Sequence, residues 1–125
     1  DVFHGLGSGY IEFGPNLEFF EVINSTAFYT DQSKNIFAEI TYKNTIPFSV
    51  GMVYQTPDGS VQSAKILNVS TSGVWNTVYV HMITEVRNLI NKYGSTTAFW
   101  LWIKADGLGN QGYIRFDDIR VIREK

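Results

Sequence analysis

The chain has 125 residues and a formal net charge of −2, a length that suits one domain burying roughly 65–70% of the surface its unfolded form would expose. It has no cysteine, which excludes a disulfide framework, a thiolate zinc site and a thiol nucleophile. Its local basic cluster, Arg115, Arg120, Arg123 and Lys125, is diluted by Asp117, Asp118 and Glu124, so a nucleic-acid footprint is not expected, and no apolar run reaches the roughly 18 residues of a membrane span.

Aromatics make up 15% of the chain, an enrichment that suits pleated, half-buried strands. Residues 1–125 are expected to form a single β-sandwich domain. Its first 16 residues form a loose, glycine-rich lead with an edge strand at Tyr10–Phe13. Apolar strand runs follow at Leu17–Ile23, Ala27–Tyr29, Ile36–Tyr42 and Phe48–Gln55. Thr56-Pro57-Asp58-Gly59 reads as a tight turn, because Pro presets φ and Gly accepts a positive one. It predicts a hairpin between Phe48–Gln55 and Ser60–Leu67. Asn68–Gly73 reads as a loop from its Ser, Thr and Gly content. Strands resume at Thr77–Ile83, Ala98–Lys104 and Gly112–Ile122.

One segment departs from the period of two. Ile83, Val86, Leu89, Ile90 and Tyr93 recur at helical spacing, with Thr84 as N-cap, Glu85 in the first turn, Lys92 in the last and Gly94 at the end. A short helix over residues 85–93 is predicted, lying across an end or side of the sandwich. One helix among many short strands argues for a two-sheet, antiparallel, all-β architecture.

The last strand holds an irregularity with a physical meaning. Ile114 and Phe116 fall on one face of a regular strand, and Ile119 and Val121 on the other. A one-residue β-bulge at Asp117-Asp118 would keep all four on the core side. It would also turn one carboxylate toward the sandwich edge, where it needs a donor or a cation.

The runs Ile36–Lys43 and Phe48–Tyr54, the Gly73-Val74-Trp75 step before Val78–Val80, and Tyr113–Val121 together carry a resemblance. Their order resembles the jelly-roll, galactose-binding-like domains of carbohydrate-binding modules, in the version found at the C-terminus of surface lipoproteins from polysaccharide-using bacteria. The resemblance implies a jelly-roll sandwich, a glycan or polysaccharide partner and an exported, extracellular or cell-surface location. In related modules an Asp pair like Asp117-Asp118 borders a structural calcium. Here only Glu12, Glu18 and Glu21 offer themselves as further ligands, so neither the calcium nor any other cofactor is expected.

Trp100 and Trp102 are the leading site candidates. Alternation in Ala98–Lys104 puts Phe99, Leu101 and Ile103 on one face and both indoles on the other, about 7 Å apart at roughly 3.4 Å per residue. Flat aromatic faces stack on the C–H faces of sugars, and ring N–H groups donate to hydroxyls. The neighbouring strand is expected to be Phe48–Tyr54, with Ser49 and Gly51 pointing outward and leaving a groove beside the indoles. Lys65, Ser63 and Lys104 would line its polar side. Burial of the Trp pair under the lead or the helix, or in a domain interface, is the competing expectation.

Trp75 is expected to plug one end of the core, while Tyr79 and His81 alternate outward from Val78, Val80 and Met82. His4 and His81 are the only histidines, too few for a metal site without other ligands. Glu39 with Asp117 or Asp118 is the one conceivable carboxylate pair for glycoside hydrolysis, and a salt bridge from Glu39 to Arg115 or Arg120 is the simpler account. Neither a nucleophile elbow, a phosphate-binding loop nor a zincin motif occurs. Ala105–Gly112 has oxygen ligands but lacks the spacing of an EF-hand loop. The expectation is therefore a non-catalytic carbohydrate-binding module of a secreted or cell-surface protein. The alternative is a structural or adhesion domain of a surface lipoprotein, docking another domain or protein through the same face.

Overall fold

The strand signals assemble into two antiparallel sheets. A computed structural model describes residues 2–4, 9–13, 19–23, 35–94, 97–106 and 111–123, with side chains for 35–94, 97–105 and 111–122. The strands are β1 (Val2–His4), β2 (Gly9–Phe13), β3 (Phe19–Ile23), β4 (Ile36–Asn44), β5 (Phe48–Gln55), β6 (Val61–Val69) and β7 (Ser72–His81). A helix, α1 (Ile83–Tyr93), precedes β8 (Ala98–Asp106) and β9 (Gly112–Arg123). One sheet runs β1-β9-β4-β7, with β2 also paired to β9; the other runs β3-β8-β5-β6. The molecule is an all-β sandwich of jelly-roll type. The expected strand at Ala27–Tyr29 lies outside the described residues.

Alternation drives the packing. Along β4 every second residue from Ile36 to Asn44 is buried and those between are half-buried. In β8, Phe99, Leu101 and Ile103 are fully buried against them. Phe48 of one sheet meets Tyr42 and Phe116 of the other edge-on, at centroid distances of 5.3 and 5.5 Å. Edge-to-face contacts of this kind add about 0.5–1.5 kcal/mol each beyond area burial.

The bulge in the last strand is present. Thr41 pairs with Asp118 and Tyr42 with Phe116, so Asp117 has no opposite number in β4. Ile114, Phe116, Ile119 and Val121 are consequently all buried. Asp118, 31% exposed in its side chain, takes a 2.5 Å hydrogen bond from Arg120 Nε. The partly buried carboxylate thus has its donor from two residues along the same strand. The edge strand expected at Tyr10–Phe13 is present as β2, and β1 is an additional strand; both pair with β9.

The Thr56–Gly59 turn closes the β5–β6 hairpin as expected. Thr56 N–H donates to the Ser60 carbonyl and Gly59 N–H to that of Thr56, with Gly59 at φ 92°. The Asp58 carboxylate accepts from the Thr56 hydroxyl and the Ser60 N–H, and these bonds hold its pKa below the usual value.

The start of the helix and the link between β6 and β7 differ most from the sequence reading. The helix begins two residues earlier, capped by Met82 rather than Thr84 and without a side-chain cap. Met82 N–H bonds to Ile36 O at 3.0 Å, and its side chain is fully buried, so tertiary anchoring replaces the missing cap. Val86 and Ile90 enter the core, and Tyr93 packs on Tyr54 at 6.1 Å. The Asn68–Gly73 loop is also almost absent, because β6 runs to Val69 and β7 starts at Ser72. Buried Asn44 holds this tight link from outside. Its amide donates to Ile46 O at 2.7 Å and its carbonyl accepts from Ser72 N–H at 2.8 Å.

Deleting Asp117 removes the extra residue itself and leaves Phe116 and Ile119 two positions apart, so all four apolar residues stay on the core face of a regular strand. Deleting Arg115 instead puts Ile114 and Phe116 on opposite faces. The Asp117 deletion is expected to unfold cooperatively, at a cost of about 1–3 kcal/mol, and the Arg115 deletion to lose cooperative thermal unfolding. Melting curves of both variants check this. Similar melting temperatures for the two would contradict it.

Candidate functional site

The outer face of the four-stranded sheet collects its polar groups through strand register. On β5 and β8, Ser49 stands opposite Lys104, Gly51 opposite Trp102 and Val53 opposite Trp100. On β6, Asn68 stands opposite Ser49 and Lys65 opposite Gly51. Residues 65 and 68 are an odd number apart and would face opposite sides of a regular strand. The register shift between Val50 and Gly51 leaves Ile66 as an extra residue and brings both to the outer face.

Gly51 permits this arrangement. A Cβ at that position would lie 2.1 Å from the Ala64 carbonyl oxygen and 2.9 Å from Lys65 Cα. Only a residue without a side chain lets the bulged β6 lean this close.

The result is a cavity of about 360 Å³ lined by Ser49, Lys65, Asn68, Trp102 and Lys104, together with Pro47 and Phe48. That volume falls in the roughly 300–1,000 Å³ range of small-molecule sites. Ser49 Oγ donates to Asn68 Oδ1 at 2.9 Å. Lys104 Nζ lies 6.0 Å from the Trp102 ring centre, at the outer limit of a cation–π contact. Lys65 and Asn68 are exposed and Lys104 half-buried.

Four of the expected site residues therefore meet: Trp102, Lys65, Ser49 and Lys104. The indoles do not form the expected open platform. Trp102 is only 7% exposed and serves as a wall. Trp100 is half-buried and lies outside the cavity lining, as does Ser63, which stands opposite Val53. Asn68 escaped the sequence reading because its segment read as loop. Pro47 and Phe48 escaped because neither carries an obvious ligand-binding signal.

Trp75 is corrected outright. It is 50% exposed and plugs nothing. β7 begins at Ser72, so Trp75 falls in phase with outward Tyr79, which is 53% exposed, and with His81. Phe37, half-buried on β4, meets Tyr79 at 6.1 Å and His81 at 5.8 Å.

The described carboxylates of β4 and β9 do not line the cavity. Glu39 is half-buried opposite Arg120 and Tyr79, but Arg120 bonds to Asp118, so the expected Glu39 bridge is not the one formed. No group of three or more His, Asp or Glu among the described residues is placed to hold a metal. The side chains of His4, Glu12, Glu18 and Glu21 lie outside those described. No described helix is long and apolar enough to cross a membrane.

No protein-family model matches the chain, and no curated protein matches it. Solved structures do resemble it. The infectious bursal disease virus Gt strain superposes with a TM-score of 0.58 at 12% identity, over 97% of this chain and 32% of that one. The VP2 subviral particle of the same virus gives 0.57 at 12%, over 97% and 31%. The chain thus spans about a third of the length of these viral proteins. The carbohydrate-binding module TmCBM61, in complex with β-1,4-galactotriose, gives 0.46 at 11%, over 99% and 88%. At such identities the viral likenesses establish a shared β-sandwich fold and nothing about activity, and the module falls below even that.

Gly51→Ala is expected to cost about 1–3 kcal/mol, as overpacking against a backbone neighbour does. Trp102→Ala should cost about 3–5 kcal/mol, and half-buried Trp100 less. Urea midpoints measure all three. A Trp102→Ala variant within about 0.5 kcal/mol of the parent would show that the indole is not built into the sheet.

Proposed function

We propose that the protein is a non-catalytic carbohydrate-binding module of a secreted or cell-surface protein, with the Trp102 cavity as its glycan site. The observation that carries this reading is the convergence of Ser49, Lys65, Asn68 and Lys104 around one wall of indole. Small-ligand sites combine an apolar wall with a few placed polar groups, and sugars need both an apolar C–H contact and hydroxyl partners. Among the described residues the cavity lining contains no carboxylate and no histidine, and so no group suited to general acid or base work on a bound sugar.

A second reading keeps a specific observation in its favour. Val74 is 71% exposed, Trp75 50% and Tyr79 53%, all on the edge strand β7. Large apolar side chains grouped at one edge are a feature of protein docking surfaces. On that reading the domain serves structure or adhesion, and β7 rather than the cavity is its contact.

Glycan-array binding, followed by isothermal titration with the best glycan, separates the two. Asn68→Ala removes an NH₂ donor group and a carbonyl acceptor at an exposed position, and is expected to weaken binding about tenfold without changing the melting temperature. Trp75→Ser should leave glycan affinity unchanged. Glycan binding lost in Trp75→Ser and kept in Asn68→Ala would move the site to β7. Absence of binding to any glycan would remove the proposal.

A further inference from the structure

Building on the glycan reading, we infer that the cavity takes an acidic sugar, a pyranose bearing a carboxylate or a sulfate ester, with Lys65 and the Asn68 amide meeting its negative charge.

The inference comes from the hydrogen-bonding character of the lining. Lys65 carries three N–H donors and no lone pair. It is exposed at the cavity and has no hydrogen-bond or ion-pair partner among the described residues. Asn68 receives the Ser49 hydroxyl hydrogen on Oδ1 at 2.9 Å. That bond uses the serine's one donor and part of the asparagine's acceptor capacity, and leaves the Asn68 NH₂ to the cavity. Lys104 adds a second ammonium over the Trp102 ring, although it stands opposite Glu21 in the β3–β8 ladder. Lys65 is therefore the cation that a ligand's charge would meet first.

Among the described residues of the lining, donors thus outnumber acceptors and both charged side chains are positive. A neutral sugar hydroxyl both gives and takes hydrogen bonds, and a site tuned to it pairs amides with carboxylates. A carboxylate or sulfate only accepts. Its bonds to an ammonium and an amide N–H are charge-assisted, hence shorter and stronger than neutral ones. The chain as a whole is acidic, at −2, so non-specific attraction to polyanions is opposed by its overall field. Preference for an acidic glycan would have to arise locally, at this cavity.

Affinity electrophoresis of the full chain tests this with two matched pairs: polygalacturonate against its fully methyl-esterified form, and dextran sulfate against dextran. The acidic member of one pair should bind at least about tenfold more tightly than its neutral partner. Which pair responds tells carboxylate from sulfate. Lys65→Gln should remove most of that preference at an unchanged melting temperature, and Lys65→Arg should retain it. Equal affinity for both members of each pair would overturn the acidic preference while leaving the glycan reading intact. Acid-selective binding that Lys65→Gln does not weaken would also overturn it, by placing the charge recognition elsewhere. Failure to bind any of the four, or any glycan on an array, would remove both readings together.

Discussion

Two β-bulges put residues an odd number of positions apart on the same face, and both the core and the cavity depend on them. In β9 the unpaired Asp117 lets Phe116 and Ile119 face inward together. In β6 the extra Ile66 lets Lys65 and Asn68 face outward together. Side-chain direction in a strand has a period of two, so in a strand of the same sequence without the bulge each pair would be split between the two faces. β9 pairs with β1, β2 and β4. A slip there would expose apolar surface across most of that sheet. The β6 bulge acts on an edge strand, where it shapes a surface and leaves the interior intact.

The cavity follows from that second bulge with little further machinery. β6 can lean over β5 because Gly51 presents no Cβ to the Ala64 carbonyl. Trp102, opposite Gly51 on β8, supplies the indole of the lining. The polar groups come from three adjacent strands, with Ser49 on β5, Lys65 and Asn68 on β6 and Lys104 on β8. Sites held by paired strands keep their geometry better than sites on loops. A steady arrangement of donors is what recognition of a small polar ligand requires.

Local pattern carried much of this, and non-local contacts account for what it missed. The alternation of Ala98–Lys104 correctly separated Phe99, Leu101 and Ile103 from the two tryptophans. The phase break in Tyr113–Val121 correctly located a bulge. Burial of Trp102 was not legible, because it depends on how closely neighbouring chain approaches the outer face. Trp75 differs from its expected position for a related reason. Its Ser-, Thr- and Gly-rich surroundings read as loop, which starts the strand at Thr77 and leaves residue 75 without a phase. What makes those residues strand is Asn44, a buried side chain 28 positions away from Ser72 whose carbonyl takes the Ser72 N–H. The early start of α1 belongs to the same class, since its anchor is the Ile36 carbonyl of another strand.

The two faces of the sandwich thus offer different surfaces: a donor-rich cavity on one sheet, and an apolar edge carrying Val74, Trp75 and Tyr79 on the other. Only the first has the mixture of apolar wall and fixed polar groups that a saccharide needs, and on the proposed function ligand enters there. The most direct measurement is an amide chemical-shift titration of the isotopically labelled chain with an oligosaccharide that it binds. The shifted amides are expected to cluster at Ser49, Lys65, Asn68, Trp102 and Lys104. Shifts confined to Trp75, Tyr79 and His81, with the cavity amides unmoved, would contradict it.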